Sequence, residues 1–333
     1  MRFGLALPHY DFSMAGDRSI TFAAVAAVAA RAERLGFDSV WVSDHFLYTF
    51  ERYGEPEPIH GSLEPLTTLA GVAALTDRVR LGTLVLGAPF RHPALLAKTA
   101  ATLDSISEGR IDLGVGAGWL EDEFTAFGYR FGTVGERFGA LEETLQVLEA
   151  LLEGGEASGT FGRVTLKSAR LLPPPVQRPR PPVWVGGKGG PRLLRLAARH
   201  ADGWNLVWRI SPRDYAAKVL DVAAACDAQG RDPATFRRSI GLYGLIAEDE
   251  RSVAALWDRA RGSMPGRALE GESWESWRSD TLSGTPDQVL DRVDAFGSMG
   301  VEELILSPWS LPFSLPEPEM LDVVAERVIA PLR

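Results

Sequence analysis

Cysteine is nearly absent. Cys226 is the only one in 333 residues. A single cysteine excludes an internal disulfide and any cysteine-rich zinc site. It lies in V-A-A-A-C-D-A, a helical pattern in which a small buried hydrophobe is a simpler reading than a nucleophile. Histidine is scarce as well, with five in all. No His, Cys and carboxylate spacing resembles a metal site, and no G-x-S-x-G elbow occurs, so no metal is expected. The longest apolar run, Phe22–Ala30, is alanine-rich and far too short to cross a bilayer. Basic residues are outnumbered, 35 Lys and Arg against 44 Asp and Glu, for a net charge of −9. No basic stripe is present, so neither nucleic acid nor a membrane is an expected partner. Met1–Pro8 reads as a strand rather than a basic and then apolar leader, and a cytoplasmic location is the expectation.

What the chain does have is a regular alternation of short apolar runs and helical segments. The runs are Arg2–Leu7, Ser39–Val42, Arg80–Leu86, Arg110–Val115, Val183–Val185, Trp204–Trp208, Ser239–Ile246 and Glu303–Leu306. A helical pattern follows each one, among them Ser19–Leu35, Val134–Leu152 and Pro191–Ala201. Eight strand–helix pairs predict an α/β fold, a (β/α)8 TIM barrel, as a single domain over 1–333. An open doubly wound sheet is the structural alternative. A barrel needs ~250 residues, so the excess should lie in insertions. Residues 154–182 contain T-F-G-R-V-T-L and a proline cluster, and read as a β-hairpin plus an extended crossing. Residues 263–284 hold Trp274 and Trp277 among glycines and charges, and read as a mobile loop or lid.

In such a barrel, functional groups gather at the C-terminal ends of the strands. Those ends here are Pro8 and His9, Asp44 and His45, Gly87–Phe90, Gly116–Trp119, Gly186–Gly190, Trp208 and Arg209, Tyr243, and Ser307–Trp309. The collection is apolar and aromatic, and suits a flat organic ligand. V-W-V-S-D-H-F, Val40–Phe46, delivers the titratable pair Asp44 and His45 to a strand end. His45 is placed to give or take a proton, with Asp44 able to orient it. A structural histidine bonded to a carbonyl is the other reading. His9, His60, His92 and His200 read as structural or surface residues.

V-W-V-G-G-K-G-G-P-R-L-L-R is the strongest physical signal. A strand ends, glycines let backbone N–H groups turn toward an anion, and a helix begins at Pro191. A phosphate site at Gly187, Lys188, Gly189 and Gly190 is the expectation. G-V-G-A-G at 114–118 lacks the G-x-G-x-x-G dinucleotide pattern. It reads as a tight strand end on which a planar ring can lie, or as close packing of strand on helix.

Taken together, the chain resembles the luciferase-like monooxygenase superfamily, whose members are (β/α)8-barrel flavin or deazaflavin enzymes. The resemblance spans nearly the whole chain. It is carried by S-D-H-F at 43–46, L-G-T-L-V-L at 81–86, R-H-P-A-L-L-A-K at 91–98 and G-R-I-D-L-G-V-G-A-G-W at 109–119. G-E-R-F at 135–138, L-E-E-T-L-Q-V-L at 141–148, P-P-V-W-V-G-G at 181–187, A-D-G-W-N at 201–205 and G-T-P-D-Q-V at 284–289 complete it. The combination is most similar to the subgroup that uses coenzyme F420, a 5-deazaflavin.

The resemblance implies a bacterial-luciferase-like barrel and an oxidoreductase that moves a hydride between F420 and a small organic substrate. Asp44 and His45 match catalytic positions beside the ring. Leu84 and Val85 match a cis peptide behind it. Gly116, Ala117 and Gly118 match a strand end that lines it, and Gly187–Gly190 the phosphate loop. His9, Trp119 and Trp208 would contact substrate. Trp119 departs from the sugar-phosphate dehydrogenases of the superfamily, which carry a glutamate acid at that position. Glucose-6-phosphate is therefore not the expected substrate. An FMN-dependent two-component monooxygenase and a non-catalytic flavin-binding relative are the alternatives. A homodimer and a separate reductase that regenerates reduced cofactor are the expected partners.

Overall fold

The computed structural model describes residues 1–16 and 19–333. The chain begins with β1 (Arg2–Ala6), α1 (Phe22–Arg34), β2 (Ser39–Val42), β3 (Leu47–Phe50) and β4 (Glu55–Gly61). It continues through α2 (Pro65–Ala73), β5 (Arg80–Thr83), β6 (Leu86–Gly87), α3 (Pro93–Ile106), β7 (Ile111–Gly116) and α4 (Glu121–Ala126). Next come α5 (Val134–Leu152), β8 (Ala157–Phe161), β9 (Val164–Ala169), β10 (Val183–Gly186), α6 (Pro191–His200) and β11 (Gly203–Trp208). The chain ends with α7 (Pro212–Asp227), β12 (Arg237–Tyr243), α8 (Glu250–Gly262), α9 (Trp274–Ser279), α10 (Pro286–Ser298), β13 (Glu303–Ser307) and α11 (Met320–Val324). A π-helical turn, Ala325–Ile329, extends α11.

The parallel strands run in the order β10-β11-β12-β13-β1-β2-β5-β7-β6, and β10 also pairs with β7. With β6 continuing β5, these are the eight strands of a (β/α)8 barrel. The local chemistry explains the helix starts. Thr133 and Glu136 form a reciprocal capping box at α5, and Asp249 accepts from the Ser252 N–H at 2.8 Å to start α8. Such a cap is worth about 1 kcal/mol.

The chain divides into two compact units. The first holds Met1–Leu63, Leu206–Leu220 and Arg238–Arg333. In it β1 lies between β2 and β13, with Gly4 opposite Ser39 and Arg2 opposite Glu303. Glu303 is fully buried, and a carboxylate in that position needs partners. Arg2 pairs with it at 2.8 Å, the Trp41 indole donates to it at 3.2 Å, and the Ser39 hydroxyl donates as well.

The second unit holds Glu64–Asn205 and Asp221–Arg237. There β7 pairs with β5, Leu81 opposite Ile111, and with β10, Val183 opposite Leu113. Buried Asp112 pairs with Arg80 and accepts from the Trp184 indole at 3.1 Å. Residues 154–182 carry the expected hairpin, β8 with β9. The proline-rich crossing after it is anchored by buried Asp104, which accepts from the backbone N–H groups of Val176 at 2.6 Å and Gln177 at 2.9 Å.

Two features of the first unit differ from expectation. An antiparallel hairpin, β3 with β4, follows the Asp44–His45 strand end, where no strands were expected. Residues 263–284 are not a loose lid. They contain α9, the fully buried Trp277 and a fastening by Arg209. The Arg209 guanidinium donates to Asp280 at 2.9 and 3.0 Å, pairs with Glu272, and lies 4.9 Å from the Trp277 ring centre. Gly266, at φ +58, brings this segment against the hairpin: a Cβ there would stand 1.6 Å from the Tyr53 carbonyl oxygen.

Candidate functional site

In the first unit the end of β1 supports the end of β2. His9 is fully buried, and both ring nitrogens are used inside the protein. Nδ1 lies 2.9 Å from the Leu7 carbonyl oxygen, which can only accept. Nε2 takes the Ser43 backbone N–H at 3.2 Å, which can only donate. The ring is therefore the neutral Nδ1–H tautomer. Ser43 Oγ stands 3.1 Å from Nε2 and is also hydrogen-bonded to the Tyr10 hydroxyl. Burial pushes the His9 pKa down to about 4, and nearby His45 acts in the same direction.

Asp44 is buried and His45 half-buried immediately beyond Ser43. The His45 carbonyl accepts from the Ser62 hydroxyl, so the hairpin holds the chain on its other side. The His45 ring meets Tyr48 edge-on, with centroids 5.5 Å apart.

Rings continue from there. Phe313 packs against His9 at 4.8 Å and against Trp208 at 5.1 Å. Trp208 stacks on Tyr243 at 5.6 Å, and Tyr243 on Trp277 at 5.8 Å, with interplanar angles of 13° and 10°. Of the expected residues, this unit brings His9, His45 and Trp208 into one continuous network of rings, and buried Asp44 stands in the chain between Ser43 and His45. His9, read from the sequence both as a structural histidine and as a substrate contact, takes the structural role here. Its ring is enclosed, and it anchors Ser43.

The second unit carries the other expected positions. The Leu84–Val85 peptide bond is cis. The Val85 side chain fills the space over three glycines: a Cβ at Gly114, Gly116 or Gly186 would come within 2.9, 2.7 or 2.6 Å of a Val85 methyl. The G-V-G stretch is thus bare because Val85 needs the room. Gly118 takes φ +74 and turns the chain past Phe124. Ala117 is half-buried, and Trp119 is 49% exposed.

Gly187 and Gly189 have φ of +150° and +70°. Gly190 opens α6 with no side-chain cap, and a Cβ there would meet nothing within 4 Å. Pro191 has no N–H, so the free donors of the first turn come from the residues after it. Lys188 lies exposed on the same loop. An open, uncapped helix start with glycine approach fits a phosphate.

The family model described as luciferase-like monooxygenase matches residues 1–303. The chain belongs to the luciferase-like monooxygenase family. It is 28% identical over 333 aligned positions to phthiodiolone/phenolphthiodiolone dimycocerosates ketoreductase of Mycobacterium tuberculosis, spanning 85% of this chain and 86% of that one. The coenzyme F420-dependent tetrahydromethanopterin reductase of Methanopyrus kandleri matches in structure with a TM-score of 0.77 and 21% identity, over 100% of this chain and 99% of that one. A monooxygenase of Streptomyces bottropensis matches with a TM-score of 0.74 and 27% identity over 100% of both chains. The luciferase-like barrel is therefore the fold, and the chain is a flavin- or deazaflavin-dependent oxidoreductase.

Among the described residues of this luciferase-like chain, no group of three or more His, Cys, Asp or Glu could hold a metal ion, and no helix is long and apolar enough to cross a membrane. Sequence reasoning missed Tyr10, Tyr48 and Arg52, and saw Ser43 only as part of a motif. Tyr10 and Ser43 adjoin His9 and Asp44 in sequence, and that adjacency was the available signal. Tyr48 and Arg52 lie on the unexpected hairpin and had none.

Proposed function

We propose that this luciferase-like protein binds coenzyme F420 and transfers a hydride between it and a small organic substrate. The observation that carries this reading is the Asp44–His45 strand end, backed by a neutral histidine and clamped on both sides. Hydride transfer needs one proton held at one place, and this is where the chain presents a titratable pair. Motifs most similar to the F420 subgroup support the deazaflavin, as do neighbours named as F420-dependent enzymes.

Each part then has a task. Gly187, Lys188, Gly189 and Gly190 would hold the phosphate at the start of α6. Leu84, Val85, Gly116, Ala117 and Gly118 would line the ring, and Trp208 and Trp119 the substrate. When bound, the deazaflavin supplies the two-electron chemistry. His45 gives or takes the accompanying proton, and Asp44 orients it. The Ser43 N–H to His9 bond keeps both from shifting as charge moves. The aromatic rings exclude water.

Titration of tryptophan fluorescence tests this. F420 should quench it, and FMN at matched concentration should not. Tight FMN binding with substrate-stimulated oxygen consumption would overturn the reading in favour of a two-component monooxygenase.

A further inference from the structure

The hairpin that follows His45 brings a cation to the aromatic wall. Arg52 lies at its tip, exposed, with its guanidinium carbon 4.8 Å from the Tyr53 ring centre. It is hydrogen-bonded to Tyr48, and Tyr53 and Tyr243 lie within electrostatic reach of it. Tyr48 is the residue whose ring meets His45. Tyr243 is the middle ring of the Trp208–Tyr243–Trp277 stack. One guanidinium, three phenols, a flat indole and the proton-handling histidine thus form a single connected cluster.

Each component has a defined chemistry. A guanidinium offers a rigid fork of donors suited to a carboxylate. Burial, with the Tyr53 and Tyr48 phenols adding to it, keeps the Tyr243 hydroxyl protonated far above the ordinary tyrosine range. It is a permanent neutral donor. Half-buried Trp208 offers a face to a planar skeleton.

From this juxtaposition we infer that Arg52, Tyr48, Tyr53 and Tyr243 form an oxyanion-binding corner, and that the substrate is a planar organic acid. Its carboxylate meets Arg52 and the phenols, and its conjugated body lies on Trp208. The inference deepens the hydride-transfer reading of the same site and rests on it for the word substrate. The binding corner itself does not depend on the cofactor.

The test therefore uses the full-length protein with no cofactor added. Cinnamate and its neutral isostere cinnamamide are titrated against tryptophan fluorescence. Cinnamate should bind about tenfold tighter or more, since a charge-assisted hydrogen bond separates the two ligands. Arg52→Met should abolish that preference while leaving cinnamamide binding unchanged, and a thermal melt should show a cooperatively folded variant whose midpoint falls by no more than the loss of the Tyr48 hydrogen bond accounts for. Arg52→Lys should keep part of it, and Tyr243→Phe should weaken cinnamate alone, since the ring stack is retained. Equal binding of the two ligands, binding of neither, or a preference that survives in Arg52→Met overturns the proposal. A parallel F420 titration reports on the cofactor reading separately, so either can fail without the other.

Discussion

The backbone N–H of Ser43 donates to Nε2 of His9, so a histidine ring serves as the acceptor that fixes the residue before Asp44. The same ring donates from Nδ1 to Leu7. His9→Gln places an amide near the ε position and keeps an acceptor for Ser43. His9→Asn reaches only the δ position and loses it. His9→Gln leaves the Leu7 carbonyl short of a donor and His9→Asn leaves the Ser43 N–H short of an acceptor. An orphaned N–H is the less tolerated of the two, so His9→Asn should be less stable than His9→Gln by about 1 kcal/mol. Urea denaturation measures the difference. Equal stability of the two variants would remove the anchoring role.

The neutral state of His9 has a pH signature. Its pKa falls from 6.5 unfolded to about 4 in the fold, chiefly through burial. Between those values the unfolded chain binds a proton that the folded chain refuses. Stability from this group is complete above pH 6.5 and is lost as pH falls toward 4, by about 3 kcal/mol in all. His9→Gln has no such group, so its stability should decline less over the same window. Parallel slopes for wild type and His9→Gln would contradict this.

The glycines under Val85 make separable predictions. A Cβ at Gly116 meets a Val85 methyl at 2.7 Å, with its next neighbour at 3.6 Å. Gly116→Ala should destabilise by about 1–3 kcal/mol, and Val85→Ala should largely relieve it. A Cβ at Gly114 also meets the Thr83 carbonyl oxygen at 2.0 Å. Gly114→Ala should therefore stay destabilised in the Val85→Ala background. Thermal melts of the two double variants give the comparison.

Gly190 sets helix stability against phosphate binding. It is extended, with φ −72° and ψ 158°, and has open space around the missing Cβ. Gly190→Asp should cap α6 and raise the thermal midpoint, a gain of about 1 kcal/mol. The same carboxylate would occupy the anion site, so F420 affinity should fall about tenfold or more. A variant that gains stability and keeps full affinity would move the phosphate elsewhere.

Arg209 holds residues 263–284 by pairing with Glu272 and Asp280. Removing it strands Asp280, whose carboxyl burial already pushes above the usual range. Arg209→Ala should speed tryptic cleavage at exposed Arg267 about tenfold. An unchanged cleavage rate would mean that buried Trp277 holds the segment alone.

The barrel was legible because its signals are local. Ser39–Val42 and Val134–Leu152 match the structure residue for residue, since an apolar run and a capped periodic stretch specify themselves. The strand end at Asp44 and His45 and the glycine turn before Pro191 were readable for the same reason. The hairpin at 47–61 was not. Its strands carry Tyr48, Thr49 and Phe50 on one side and Pro58 and His60 on the other, and only pairing makes them strands. The fastening of 263–284 was hidden too, because Arg209 lies more than sixty positions away from Glu272. His9 carried two readings in the sequence, a structural histidine and a strand-end ligand contact, because strand position alone does not separate them; burial and donor geometry show the structural role.

The close approach of Gly266 to the Tyr53 carbonyl has a consequence for engineering. The hairpin tip carrying Arg52 and the segment carrying Trp277 form one cassette. Transplanting either alone into a related barrel would set a foreign backbone against a gap shaped for its absent counterpart. Grafts meant to move substrate preference between relatives should carry both pieces, joined as they are here at a residue with no side chain.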